Sequence, residues 1–406
     1  MKLALILRKI LMFSKPLLEK RMQRAVAALR EFDVDAWIML GRETHFTPEP
    51  AMLYLLPATV LPMCGLVITK TGESVCLVGA LDAEEVEAYG AVKEVISYRG
   101  DFETPWVDLL RRFMPAGRIA LNYSEVDPSA DGLSYTQYKR MARCLEAVGF
   151  QGELISACNI MKRVRAQKSP EEIAGIERTV MAAMQIYDSA RDFIRSGVSG
   201  ADIQRFFQSK VREIDADYSW PRAGNPFVSI GTRSSYLCKR PPADVFAQPG
   251  DLINVDFGLR IDGFGSDNQR SFYVLGPGES SAHDEVQQAF ETVQAAIRAA
   301  AAACAPGVYT TVPRDKANEI LESRGYPKVG GLGHELGTFA HEGGMRCGSD
   351  FPIQELDCYL EAGMTFTMEP AILTSHGRLC QEEDIVITET GCRFLSIPQK
   401  EVWLVR

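Results

Sequence analysis

No two of the ten cysteines in this sequence are spaced C-x-x-C, which removes the usual dithiol redox and zinc-ribbon patterns. They are scattered, and most sit in apolar runs such as SVCLVGA around Cys76 or AAACAP around Cys304. This reads as reduced, buried thiols and a cytoplasmic address. Positive charge is in deficit: 44 Lys and Arg against 53 Asp and Glu leave a net charge of −9. That balance argues against nucleic acid or an anionic membrane surface as the main partner, and points to a small peptide or other small molecule. No run reaches the ~20 uninterrupted apolar residues of a membrane span. The N-terminal MKLALILRKILMF begins like a signal peptide, but Arg8 and Lys9 break its apolar stretch and no A-x-A-like cleavage site follows. Histidine is scarce as well. Only five occur in 406 residues, and two of them, His334 and His341, fall in the single stretch VGGLGHELGTFAHEGG, where six of sixteen positions are glycine.

A chain of 406 residues with 46% hydrophobic and 24% charged residues suits two domains that fold without staples. Residues 12–165 alternate helical patterns such as LLEKRMQRAVAALREF with short β-rich runs (DAWIML, GLVIT, SVCLVG, RIALN), the mark of an α/β domain over residues 1–165. His45, in the proline-containing GRETHFTPEP, reads as structural. A boundary falls near Lys168. In KSPEEI, Ser169 is an N-cap, Pro170 the first helical residue and Glu172 the third residue after the cap, so the three form a capping box. The helix this starts runs to about Ile194 and opens a second domain, 169–406.

That domain uses one plan twice. A long helix ending in SGV (196–198) precedes the helical ADIQRFFQSKVREI and then β-rich sequence; about 110 residues later a helix ending in APGV precedes PRDKANEILESRGY and more β-rich sequence. Such a duplication predicts an active site between two halves.

The segment LINVDFGLRIDGFGSDNQRSFYVLG is a hairpin by pattern, two β-rich arms around a turn at Ile261-Asp262-Gly263. With the mirror point between 261 and 262, Asp256 stands opposite Asp267. Shifted by one, the two stay on the same face but diagonal. Like charges so placed destabilise a sheet unless something offsets them. Arg270 or partial protonation would serve on a solvated face, but Asp256 lies within INVDFG, whose neighbours look buried, so a cation is the better answer. Two more carboxylates follow on strands: Glu369 closes MTFTME, sharing a face with Thr365 and Thr367, and Glu383 opens EDIVITE. With His334 they make four carboxylates and one imidazole, an oxygen-rich set that suits two divalent ions such as Mn²⁺.

The order of these residues within NVDFG, GSDNQRSF, GHELGTFAHE, MEPAI and QEEDIVITETG resembles the metallopeptidase family of methionine aminopeptidase, prolidase, Xaa-Pro aminopeptidase and creatinase. The KSPEEI junction and the preceding α/β domain are similar to its creatinase/prolidase branch. The resemblance implies an α/β N-terminal domain followed by an α+β "pita-bread" catalytic domain whose halves bracket the site. It implies a metal-dependent hydrolase of Xaa-Pro bonds, with two divalent ions, Mn first and Co, Zn or Fe as alternatives, and a homodimer. It also implies roles. Asp256 binds one metal, Asp267 and Glu383 bridge both, and His334 and Glu369 bind the other. The bridging water or hydroxide is the nucleophile, Glu369 its proton acceptor, and His341 a substrate-binding group that steadies the tetrahedral intermediate. Apart from the resemblance, Glu342 beside His341 reads as an anchor of the loop.

Three positions depart from the family pattern. The histidine expected twelve residues before Asp251 is Lys239, which would instead bind a substrate carboxylate. The arginine expected two residues before the last ligand is Gln381, and the second glycine of the GHG motif is Glu335. None touches an expected ligand, so they bear on the substrate and not on the metals. The alternative is a non-peptidase enzyme on the same scaffold, creatinase-like or similar to dimethylsulfoniopropionate lyase.

Overall fold

A computed structural model of the chain describes residues 13–113, 117–234, 241, 243–342 and 358–406, together with the backbone of 346–347. The leader-like N-terminal segment up to residue 12, and Lys239, lie outside the described residues. The chain divides into two compact units, Met1–Arg165 and Ala166–Arg406.

The first unit is built on a six-stranded mixed sheet in the order β4-β3-β2-β1-β5-β6. Its strands are β1 (Ala36–Gly41), β2 (Cys64–Thr69), β3 (Ser74–Gly79), β4 (Glu94–Tyr98), β5 (Arg118–Leu121) and β6 (Glu153–Ser156). Helices α1 (Lys15–Glu31), α2 (Pro50–Leu55), α3 (Ala83–Tyr89), α4 (Glu103–Phe113), α5 (Tyr135–Ala147) and α6 (Cys158–Ala166) accompany it. The core on one side gathers Ile38, Leu40, Val67, Leu77, Trp106 and Leu110. Gly65 is required beneath that tryptophan, because a Cβ there would come within 2.3 Å of the indole.

The second unit opens with α7 (Pro170–Phe193). Its capping box is formed as the residues dictate: Ser169 Oγ accepts from Glu172 N at 3.3 Å, and Glu172 Oε2 accepts from Ser169 N at 2.8 Å. Helix α8 (Gly200–Glu213) repeats the device with Ser199 and Asp202. After this pair come β7 (Asp217–Tyr218), β8 (Phe227–Ile230), β9 (Leu252–Phe257), β10 (Leu259–Ile261), β11 (Phe264–Gly265) and β12 (Asn268–Val274). A second helix pair follows, α9 (Asp284–Ala303) and α10 (Thr311–Ser323). Strands β13 (Gly333–His334), β14 (Arg346–Cys347), β15 (Thr365–Met368), β16 (Ala371–Thr374), β17 (Gly377–Cys380), β18 (Glu383–Ile387), β19 (Cys392–Phe394) and β20 (Trp403–Val405) complete the unit. The two helix pairs thus recur in the order the sequence pattern predicts, each followed by antiparallel strands.

Two cores correspond to the two halves. One joins α7 and α8 to β8, β9 and β12 through Tyr187, Phe207, Val255, Phe257 and Phe272. The other joins α9 and α10 to β15, β16, β17 and β18 through Phe290, Val293, Leu321, Phe366 and Ile385. Strands β9 and β12 belong to both, because alternation sends Ile253, Val255, Phe272 and Val274 to the first core and Leu252 and Tyr273 to the second. Asp256 falls on the face of Leu252, and the site is built there.

Candidate metal centre

The β10–β11 connection is a two-residue turn, Asp262-Gly263, with φ of 51° and 80°. Both values lie in the left-handed region, and Asp-Gly is the pair that tolerates this conformation in a tight hairpin. The turn sets the register of the longer arms: Asp256 pairs with Gln269, and Phe257 with Asn268. Of the two registers read from the pattern, the shifted one is therefore formed. Asp267 lies just before β12, diagonal to Asp256 and on its face.

His334 is delivered by the glycine-rich loop onto β15. Its backbone N donates to Thr367 Oγ1 at 3.2 Å, and Thr365 Oγ1 donates to Leu336 O. The approach is so close that a Cβ on Gly333 would stand 2.0 Å from Thr367 O, so only glycine fits. The alternating threonines on β15 act as a rail for this loop, and Glu369 stands at its end. The imidazole Nε2 then faces three carboxylates: Asp267 Oδ2 at 3.5 Å, Glu369 Oε1 at 3.6 Å and Glu382 Oε1 at 3.8 Å. Nδ1 lies 3.3 Å from Glu335 O. A carbonyl oxygen only accepts, so Nδ1 carries a proton, and in the neutral ring Nε2 offers its lone pair to the cluster.

The last glutamate of this cluster is Glu382, which corrects the expectation of Glu383. Position 382 bridges to Gln269 of β12 just ahead of β18, and continuing the β15–β18 register sets it opposite Glu369. Glu383, one residue on, points to the other face by strand alternation. There its carboxylate accepts from Arg270 Nη2 at 3.0 Å, from Ser396 Oγ and from Gln399 N at 3.3 Å. Arg270 is itself 1% exposed and lies on the face of β12 away from Asp256. It balances Glu383 and not the aspartate pair. Counted back from Glu382, the position where the family pattern expects arginine is Cys380, which is buried, and not Gln381.

The ligand-type atoms of Asp256, Asp267 and Glu382 lie within 4.8 Å of one another, as do those of His334, Glu369 and Glu382, and those of Asp267, His334 and His341. Asp267 Oδ1 and Glu382 Oε1 are buried and make no hydrogen bond to any described residue. Burial, then the charges of Glu382, Asp256 and Glu369, push the Asp267 carboxyl far above the usual carboxylate range. Burial, then Glu369, Asp256 and Asp384, do the same for Glu382. Carboxylates so crowded must either take up protons or share cations, and unbonded oxygens aimed inward beside an imidazole lone pair fit divalent metal ions.

Two further residues were not legible as site residues. Gln269 Nε2 donates to Glu369 Oε2 and to Glu382 Oε2, each at 2.9 Å. Arg378 Nη1 donates to Gln269 Oε1 at 2.7 Å and to Asn254 Oδ1 at 2.8 Å. The sequence signal for Gln269 was its period-2 spacing from Asp267; Arg378 carries none, because β17 reaches β12 only through the tertiary fold. His341 is exposed, with its ring centroid 4.1 Å from that of His334 at an interplanar angle of 79°. Behind the loop, Lys168 is buried between Glu335 and Glu342, the latter at 3.3 Å. Glu342 also accepts from Thr338 N at 2.6 Å and so ties the loop to the start of the domain.

Residues 174–389, more than half the chain, match the Metallopeptidase family M24 profile. The chain is similar to the uncharacterised peptidase YqhT of Bacillus subtilis (strain 168), 29% identical over 260 residues that cover 63% of this chain and 69% of the other. It is also similar to an Xaa-Pro dipeptidase of Lactobacillus helveticus, 25% identical over 350 residues, 84% of this chain and 88% of the relative. Among solved structures, an X-Pro aminopeptidase from Thermotoga maritima MSB8 superposes with a TM-score of 0.74 at 20% identity, covering 95% of this chain and 99% of that one. The prolidase from Pyrococcus furiosus gives 0.70 at 20% identity, covering 92% and 100%.

Proposed function

The chain belongs to metallopeptidase family M24 and has its pita-bread fold, and we propose that it cleaves Xaa-Pro bonds in dipeptides or short peptides. Asp256, Asp267, His334, Glu369 and Glu382 would hold two divalent cations, Mn²⁺ first because four of the five donors are carboxylates. Such a pair supplies a polarised scissile carbonyl and a water made acidic enough to attack at neutral pH. The observation that carries the reading is the carboxylate cluster facing His334 Nε2, with Asp267 Oδ2 at 3.5 Å and Glu382 Oε1 at 3.8 Å, in which Asp267 Oδ1 and Glu382 Oε1 are buried without a hydrogen bond among the described residues.

Glu369 has the carboxylate suited to take the proton of the attacking water. Its side chain is 25% exposed, against 7% or less for Asp267, His334 and Glu382, so it alone of these four meets the solvent side. Gln269 holds its Oε2, which leaves Oε1 directed at the His334 side. To His341, exposed beside His334, we assign the donation of a hydrogen bond to the developing oxyanion. Lys239 is assigned to the substrate carboxylate from the sequence pattern alone. Relatives named Xaa-Pro dipeptidases, from Lactobacillus helveticus and Pyrococcus furiosus, favour this substrate class over the creatinase-like alternative. The chelated enzyme, reloaded with Mn²⁺, is to be assayed on Xaa-Pro, Xaa-Pro-amide and Xaa-Pro-Xaa. Cleavage of none of the three would overturn the peptidase assignment in favour of a small-amide hydrolase or lyase.

We further propose a cytoplasmic homodimer. Eight cysteines among the described residues are free, which fits a reducing compartment. No helix among the described residues is long and apolar enough to cross a membrane. The dimer rests on the family likeness, and light scattering on the purified chain tests it.

A further inference from the structure

Four of the five histidines fall into two pairs, and only one pair belongs to the centre above. The other is His283 and His376, whose ring centroids lie 4.6 Å apart. His283 is the N-cap of α9, and His376 lies in the turn joining β16 to β17. Glu285, in the first turn of α9, completes the group: one ligand-type atom from each of the three lies within 4.8 Å of the others.

The side chains are prepared in the way His334 is, with one ring nitrogen tied to a backbone carbonyl. His376 Nδ1 lies 2.7 Å from Gly250 O, and because a carbonyl oxygen only accepts, Nδ1–H donates and Nε2 is the ring nitrogen left facing Glu285. That Nε2 is 4.0 Å from Glu285 Oε2. Glu285 is held in place by Ser375, whose N donates to Oε1 at 3.0 Å and whose Oγ donates to Oε2. Each oxygen keeps a second lone-pair direction. His283 is exposed and held through Nδ1 by a 3.2 Å bond from Glu285 N, which gives way when the ring turns.

From this geometry we propose a second, structural cation site, in which His376 Nε2, the Glu285 carboxylate and His283 bind a late first-row divalent ion such as Zn²⁺. Two imidazoles and one carboxylate suit that class of ion, with solvent filling the remaining positions. Around a tetrahedral ion with bonds of about 2.0–2.1 Å, neighbouring ligand atoms are roughly 3.3 Å apart, so the present 4.0 Å closes by less than an ångström. A cation at a helix N-terminus meets the positive end of the dipole, and Asp284 and Glu285 in the first turn offset it. The bound ion cross-links the β16–β17 turn to the start of α9, and that hairpin carries Arg378.

The test counts zinc in the full chain after equilibrium dialysis, comparing wild type with His376→Asn and His283→Asn. The asparagine at 283 keeps an N-cap oxygen while removing the imidazole. The wild type is expected to hold one more ion per chain than either variant, and its Tm to rise with zinc by several degrees more. Because the result is a difference, it does not depend on occupancy of the catalytic centre or on the peptidase assignment. Equal zinc in the wild type and a folded variant overturns the site, and so does a wild type whose zinc is fully removed by Asp267→Ala. If His376→Asn does not fold, His283→Asn alone decides.

Discussion

The guanidinium of Arg378 donates to the Oε1 of Gln269 at 2.7 Å, and this fixes which way the amide faces. With its oxygen committed to arginine, Gln269 can only turn its NH₂ toward Glu369 and Glu382, which it joins at 2.9 Å each. Partners behind metal-ligating groups typically contribute 10–100-fold to affinity or activity. Gln269→Leu is expected to weaken metal binding and kcat/KM by about that factor, and Arg378→Leu by a smaller one, since it acts through the glutamine. Metal titration with parallel kinetics measures both; unchanged values would remove Gln269 from the site.

Adjacent glutamates should separate cleanly. Glu382→Gln is expected to empty the centre while leaving the fold nearly as stable, because its unbonded oxygen faces the cluster. Glu383→Ala leaves Arg270 buried without its carboxylate, a change that costs about 3–5 kcal/mol. The folded fraction should still bind metal. Elemental analysis with denaturant melts distinguishes them, and metal loss from a stable Glu383→Ala protein would contradict the placement of Glu382.

His341→Ala is expected to retain its metal and to lose about 10²-fold or more in kcat, the usual worth of one oxyanion-type donor. Metal content that falls together with kcat would make His341 a ligand.

On the proposed reading Lys239, at the position where the family pattern expects histidine, meets the substrate carboxylate, so free dipeptides, with a carboxylate next to the scissile bond, should be preferred over longer peptides. Lys239→His should move kcat/KM toward Xaa-Pro-Xaa. Identical discrimination in the two forms would show that the lysine does not read the substrate.

In the first unit, burial pushes the Glu49 carboxyl up to about 7, against hydrogen bonds from Asn122 and Met52 N that favour its charge. A raised carboxyl binds its proton more tightly folded than unfolded. Its contribution to stability is therefore complete below the unfolded value of about 4.3 and is lost as pH rises through about 7. The full change is on the order of 3 kcal/mol. Denaturant melts at pH 5 and pH 8 should show the loss in wild type and a flatter response in Glu49→Gln, whatever its baseline; parallel responses would remove Glu49 as the source.

The sequence by itself determined what depends on local pattern. The capping box at Ser169 and Glu172, the Asp262-Gly263 turn, the shared face of Asp256 and Asp267, and the threonine alternation leading to Glu369 all follow from the 3.6- and 2-residue periods and from turn chemistry. What only the tertiary structure decided were pairings between segments far apart in the chain. In QEED two glutamates are adjacent, and alternation says that they face opposite ways without saying which faces inward. The choice is made by the bridge from Glu382 to Gln269 and by the burial of Arg270, 113 residues away in sequence, against Glu383. Arg378 reaches Gln269 across a separation of 109 residues, and His376 meets Glu285 across 91 positions, in each case because one strand or turn packs against a distant element. A charge buried at such a contact must find its partner through the fold, and no local period in the chain carries that information.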